Sequence, residues 1–135
     1  MKAILLAPAF FAVFIGGMAA APAAELKDKV KVEVSTVGLH PGMDPGMYVC
    51  ASNHLHIKGT VHNLSDVALG RVKVAGKAFD ADGKLLGTAT GSTKQAILPR
   101  GDKADIDLEF LTLTGPQIQQ VKKHELTVIE APTRR

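Results

Sequence analysis

In His54-Leu55-His56-Ile57-Lys58-Gly59-Thr60-Val61-His62, apolar and polar residues alternate without a break. Leu55, Ile57, Gly59 and Val61 point one way, and the histidines, Lys58 and Thr60 point the other. A period of two is a strand with one buried face and one wetter face. His54 and His56 share the wetter face, with alpha carbons roughly 7 Å apart, close enough for two imidazoles to meet one ion. The same alternation recurs in Ala104, Ile106, Leu108 and Phe110, set against Asp105, Asp107 and Glu109. Such segments need a sheet with a covered face.

Turn chemistry separates the remaining strands. Val30, Val32 and Val34 alternate with Lys31 and Glu33 in a first strand ending near Val37. Gly38 to Gly46 holds two Pro-Gly pairs, which make consecutive turns. The next strand is expected from about Tyr48 to His62. Leu69 to Phe79 follows, with Val72, Val74 and Ala78 on one face and a bulge expected at Gly76. Asp80-Ala81-Asp82-Gly83 reads as a hairpin turn into Lys84–Ser92, and Leu98 to Asp102 as another turn. The alternation slips after Phe110, where a bulge or an end is expected. Thr114 to Gln117 has capping-box spacing with proline in the first turn, so a short helix should run to Lys123. Leu126–Ile129 is the last strand. Short strands with regular turns and one short helix near the C-terminus predict an all-β sandwich.

The N-terminus reads as an export signal. Lys2 precedes an apolar run to Ala24, and Ala21-Pro22-Ala23 supplies a cleavage site after Ala23. The rival is a retained anchor, against which Pro8, Gly16, Gly17 and Pro22 weigh by weakening a continuous helix. Residues 24–135 then form a single domain, with no membrane contact after cleavage. Cleavage takes Lys2 away and lowers the formal net charge of +3 by one. Charges of both signs are scattered, so nucleic-acid binding has no support. Past residue 23 the only aromatics are Tyr48, Phe79 and Phe110, too few for a stacking platform.

The succession I57-K-G-T-V-H-N63, V72-K-V, A78-F-D-A-D-G83 and L98-P-R-G101 before D105-I-D-L-E-F110 resembles the FxLYD domain. That is an immunoglobulin-like module of exported bacterial and archaeal proteins. The likeness covers roughly Leu55 to Val128. Gly76 stands where the family's first Phe belongs, Ala78 replaces Leu and Phe79 replaces Tyr, while Asp80 matches. The resemblance implies an immunoglobulin-like sandwich outside the cytoplasm and no catalytic residues.

Chemistry concentrates between His40 and His56. Met43, Met47, Cys50, His54 and His56 combine thioether, thiol and imidazole, a set that suits Cu(I), and the imidazole–thiol subset suits zinc. The competing reading is ordinary packing. There the methionines cap one end of the sandwich, Cys50 is a small buried hydrophobe, and the histidines are solvated. The spacing matches neither a blue-copper site nor the periplasmic copper chaperones. Cys50 is the only cysteine, so no internal disulfide forms. Asp80-x-Asp82-Gly83 lacks the rest of a calcium loop. Arg100-Gly101-Asp102 falls where a turn is needed, and Asn63-Leu64-Ser65 is formally a glycosylation sequon. No hydrolase, dinucleotide, P-loop or zincin motif is present. Two functions lead, with an enzyme third because no motif surrounds the serines. One is a non-catalytic exported binding module, an accessory subunit meeting another periplasmic or envelope protein. The other is a periplasmic copper-binding or copper-delivery protein built on the 40–56 cluster.

Overall fold

The computed structural model describes residues 25–36 and 43–134. The expected export signal, its cleavage site and His40 lie outside the described residues. Among the described residues seven strands run in chain order: β1 (Val30–Val34), β2 (Met47–Val49), β3 (His54–Asn63), β4 (Lys73–Phe79), β5 (Leu85–Ser92), β6 (Lys103–Thr114) and β7 (Lys123–Glu130). They form two antiparallel sheets. In the first, β3 is central and pairs with β6 along one edge; in the second, β4 lies between β5 and β7.

The other edge of β3 is shared by β1 and β2, one after the other. β1 pairs with Gly59 to Asn63, and β2 with Leu55 to Ile57. The chain leaves this edge at Ser35, whose N–H donates to Lys58 O at 2.9 Å. It returns at Gly46, whose carbonyl accepts from Lys58 N at 2.8 Å. The single strand expected from Tyr48 to His62 is therefore two strands joined by a turn. Asn53 adopts φ +64°, and its N–H closes on Cys50 O at 2.8 Å. Asparagine tolerates that left-handed conformation better than most residues.

The alternations point where their periods require. Leu55, Ile57 and Val61 are buried, as are Ile106, Leu108 and Phe110, and they share one core with Val74 and Ala78 of the opposite sheet and with Val72 just before β4. The slip after Phe110 is a bulge within β6: the pairing with β3 shifts between His54 and Leu55, Leu111 turns out to solvent and Leu113 is buried again. Gly76 is not a bulge, since it pairs regularly with Ala89 and Leu126. A Cβ there would lie 3.0 Å from Leu108, 3.1 Å from Phe110 and 3.2 Å from Leu126, so glycine lets the sheets approach. The expected helix is a 3-10 helix, Gly115–Gln120, with Gln117 Oε1 accepting from Thr114 N at 3.5 Å. It buries Ile118 against the sandwich end.

Candidate metal centre on the outer face of the first sheet

The wet face of β3 meets the acidic face of β6. In register, His56 lies opposite Glu109, Lys58 opposite Asp107 and Thr60 opposite Asp105. β2 brings Tyr48 beside His56, and the turn after β2 places Cys50 next to both. Three neighbouring segments therefore raise polar side chains on one surface.

His56 is the most firmly held. Its side chain is 12% exposed. The ring stacks on Tyr48 with centroids 4.5 Å apart. Nδ1 lies 2.8 Å from Asp107 Oδ1, and Tyr48 donates its hydroxyl proton to Asp107 Oδ2 at 2.6 Å. A carboxylate only accepts, so Nδ1 carries the proton and Nε2 presents its lone pair. Nε2 is buried, has no hydrogen-bond partner among the described residues, and lies 3.5 Å from Glu109 Oε2. Burial works against the ring's charged form, but Asp107 and Cys50 outweigh it and raise the His56 pKa. Burial, helped by Asp107, also raises the Tyr48 phenol well above its ordinary range.

Cys50 is half-buried and free. Backbone hydrogen bonding from His54 lowers its thiol pKa most; mild burial opposes this, and His56 and the Ser52 backbone add to it. Thiolate is the form that binds metals. Its Sγ lies 3.9 Å from Glu109 Oε2. Donor atoms of Cys50, His56 and Glu109 all lie within 4.8 Å of one another. His54 Nδ1 contacts the same Glu109 Oε2 at 2.8 Å.

The structure thus divides the five ligands expected from the sequence. It brings Cys50, His54 and His56 together and leaves Met43 and Met47 elsewhere. Met47 pairs with Ile57, so its side chain is on the inner face, 3% exposed and in the core. Met43 packs partly buried against the same core, and both line a cavity of about 140 Å³ with Ile118 and Val121. The methionines cap one end of the sandwich, and Met47 lies on the opposite face of the sheet from His56. Glu109 was absent from the expected set. Its signal was its place on the polar side of the β6 alternation, but only the β3–β6 register puts it beside His56.

The other motifs resolve as local structure. Asp80 Oδ1 accepts from the backbone of Asp82 and Lys84, both at 2.9 Å, as a hairpin turn does. Asn63 of the formal sequon is fully buried and cannot accept a glycan. Among the described residues no helix is long and apolar enough to cross a membrane.

No family model and no curated protein sequence matches this chain. Among solved structures it is similar to a DUF1425 family member from Shewanella sp. pv-4, at 18% identity. The match covers 78% of this chain and 81% of that one, with a TM-score of 0.46.

Proposed function

We propose that this chain is an exported, non-catalytic binding module whose ligand is a borderline transition-metal ion, Zn²⁺ above all, held by Cys50, His56 and Glu109. One observation carries the reading: three donors of the right chemical kinds already stand near the spacing of ligands around one ion. Zinc–nitrogen and zinc–oxygen bonds of about 2.0–2.1 Å and a zinc–sulfur bond of about 2.3 Å put tetrahedral neighbours roughly 3.3–3.7 Å apart. The separations here are 3.5 Å for His56 to Glu109 and 3.9 Å for Cys50 to Glu109. Asp107 completes the arrangement of carboxylate, histidine and metal in which the outer carboxylate aims the ring.

Copper is the second reading, favoured by the thiol–imidazole pair of Cys50 and His56 and stripped of the two thioethers. Periplasmic location belongs to the proposal and rests on Lys2, the apolar run and Ala21-Pro22-Ala23. The FxLYD resemblance supports the same setting. An envelope protein is the natural partner, as donor or recipient of the ion.

The test is an anaerobic titration of purified protein with Zn²⁺, and separately with Cu(I), against a competing chelator. One zinc per chain is expected, with affinity at least tenfold weaker in Cys50→Ser, about 1.4 kcal/mol. Failure to hold zinc against a weak chelator, or an unchanged affinity in Cys50→Ser, overturns the zinc reading. Cu(I) binding lost in Met43→Ile with Met47→Ile restores the methionine-based site.

A further inference from the structure

We infer that Glu109 is the exchangeable ligand of this centre, and that His54 holds it when it leaves. The ion is then handed directly to an incoming thiolate or imidazole of an acceptor protein. This inference rests on the metal-binding reading above and goes on to name how the ion departs.

The three donors are held very unequally. His56 is stacked on Tyr48, aimed by Asp107 and nearly covered. Cys50 is fixed by its turn, in which its own N–H donates to His54 O at 3.1 Å and its carbonyl accepts from Asn53 N. Glu109 has neither a stacked ring nor a turn to fix it, only the contact with His54 Nδ1 at 2.8 Å. Its side chain is 41% exposed, and it projects from β6 on the solvent side of the sheet. A carboxylate is also the hardest of the three ligands and the least suited to a borderline ion that already has a thiolate.

The oxygen of Glu109 that faces the other two donors is the one that His54 contacts. Oε2 lies 2.8 Å from His54 Nδ1, against 3.5 Å from His56 Nε2 and 3.9 Å from Cys50 Sγ. A displaced Glu109 therefore does not become a bare anion, because its resting partner is already in place. Among the described residues the group of close-set donors numbers three, one short of the sealed four-ligand sites of structural zinc.

The exchange balances simply. The acceptor's sulfur or nitrogen pair enters the coordination shell as the Glu109 oxygen pair leaves it. Zinc keeps its oxidation state, and the carboxylate remains an anion hydrogen-bonded to His54. Cys50 and His56 hold the ion until further acceptor ligands replace them.

The experiment loads the protein with Zn²⁺ and follows transfer to a chromogenic chelator over a range of chelator concentrations. Folding of every variant is checked by circular dichroism. For wild type the rate should rise in proportion to chelator concentration. Glu109→Gln should transfer faster while losing less than about tenfold in affinity, and Cys50→Ser should lose far more. His54→Ala should transfer at least threefold more slowly with affinity unchanged or tighter, since Glu109 loses its resting partner. Three outcomes overturn the inference. One is a rate independent of chelator concentration, which means the ion leaves unaided. Another is a Glu109→Gln loss as large as that of Cys50→Ser. The third is an affinity loss of tenfold or more in His54→Ala, as removal of an orienting partner produces. Wild type that binds no zinc sinks the metal reading itself, a result distinct from all three.

Discussion

Tyr48 and Asp107, 59 positions apart in the chain, are joined by a 2.6 Å hydrogen bond across the outer face of the first sheet. The phenol also lies 3.0 Å from His56 Nδ1. Tyr48 thus braces the carboxylate that aims the histidine, and its own proton is locked between burial and an anion.

Tyr48 is the only tyrosine and the chain has no tryptophan, so its ionisation can be read directly by near-ultraviolet absorbance. Its folded pKa is raised, by burial first and Asp107 next. The sign follows from linkage: the fold favours the neutral phenol, so this stability is fully present below the unfolded pKa of about 10. It is lost as pH rises above that value. Tyrosinate absorbance should therefore stay absent through about pH 10–11 in the folded protein and appear with unfolding. A normal titration near pH 10, with the fold intact, would show that the phenol is free.

Asp107 should matter to metal affinity although it touches no ion. Asp107→Asn keeps the shape and loses the charge that fixes the His56 tautomer. Zinc affinity should drop about 10–100-fold, the usual cost of removing such a partner. Met43→Ile with Met47→Ile should leave zinc affinity within about twofold, since Met47 lies on the inner face and Met43 packs against the core. Competition titrations of both variants decide the matter.

Gly59→Ala should destabilise the fold by about 1–3 kcal/mol or more. A Cβ at Gly59 would fall 2.5 Å from Glu33 O, a backbone atom of the paired strand that cannot step aside. The urea midpoint should fall with little change in slope. A neutral result would mean that β1 does not pair there.

Asn63→Ala should cost about 2–4 kcal/mol, measured in the same way. Asn63 is fully buried and fully used: Nδ2 donates to Val67 O at 2.9 Å and Leu98 O at 3.0 Å, and Oδ1 accepts from Ser65 N and Oγ. Truncation strands buried polar groups at about 1–3 kcal/mol each. It should also loosen the Leu69–Leu98 bridge that holds the ends of two loops together.

The strands of this domain were legible because their signal is local. His54 to Asn63 and Ala104 to Phe110 carry their burial in their alternation, and even the slip at Leu111 announced the bulge. The turn at Cys50–Asn53 has no clear signal in the sequence, because Asn53 is a single left-handed residue inside a run that otherwise looks strand-like. The site was half legible for a related reason. Met43 and Met47 are near His56 in sequence, but their side chains go to the core and not to its ring. Side chains one position apart on a strand point to opposite faces, so Met47 and Tyr48 part ways at once. Glu109 needed the β3–β6 register, which a slip of one residue would have reversed.

Lys58 meets the chain on both sides of the sheet edge shared by β1 and β2, through its carbonyl to Ser35 and its N–H to Gly46. Two successive strands thus share one anchor on β3, and the backbone of a single residue sets the spacing of the edge that carries Tyr48 beside His56. Whatever shifts Lys58 shifts β1 and β2 together, so the candidate site inherits its position from a residue that supplies none of its ligands.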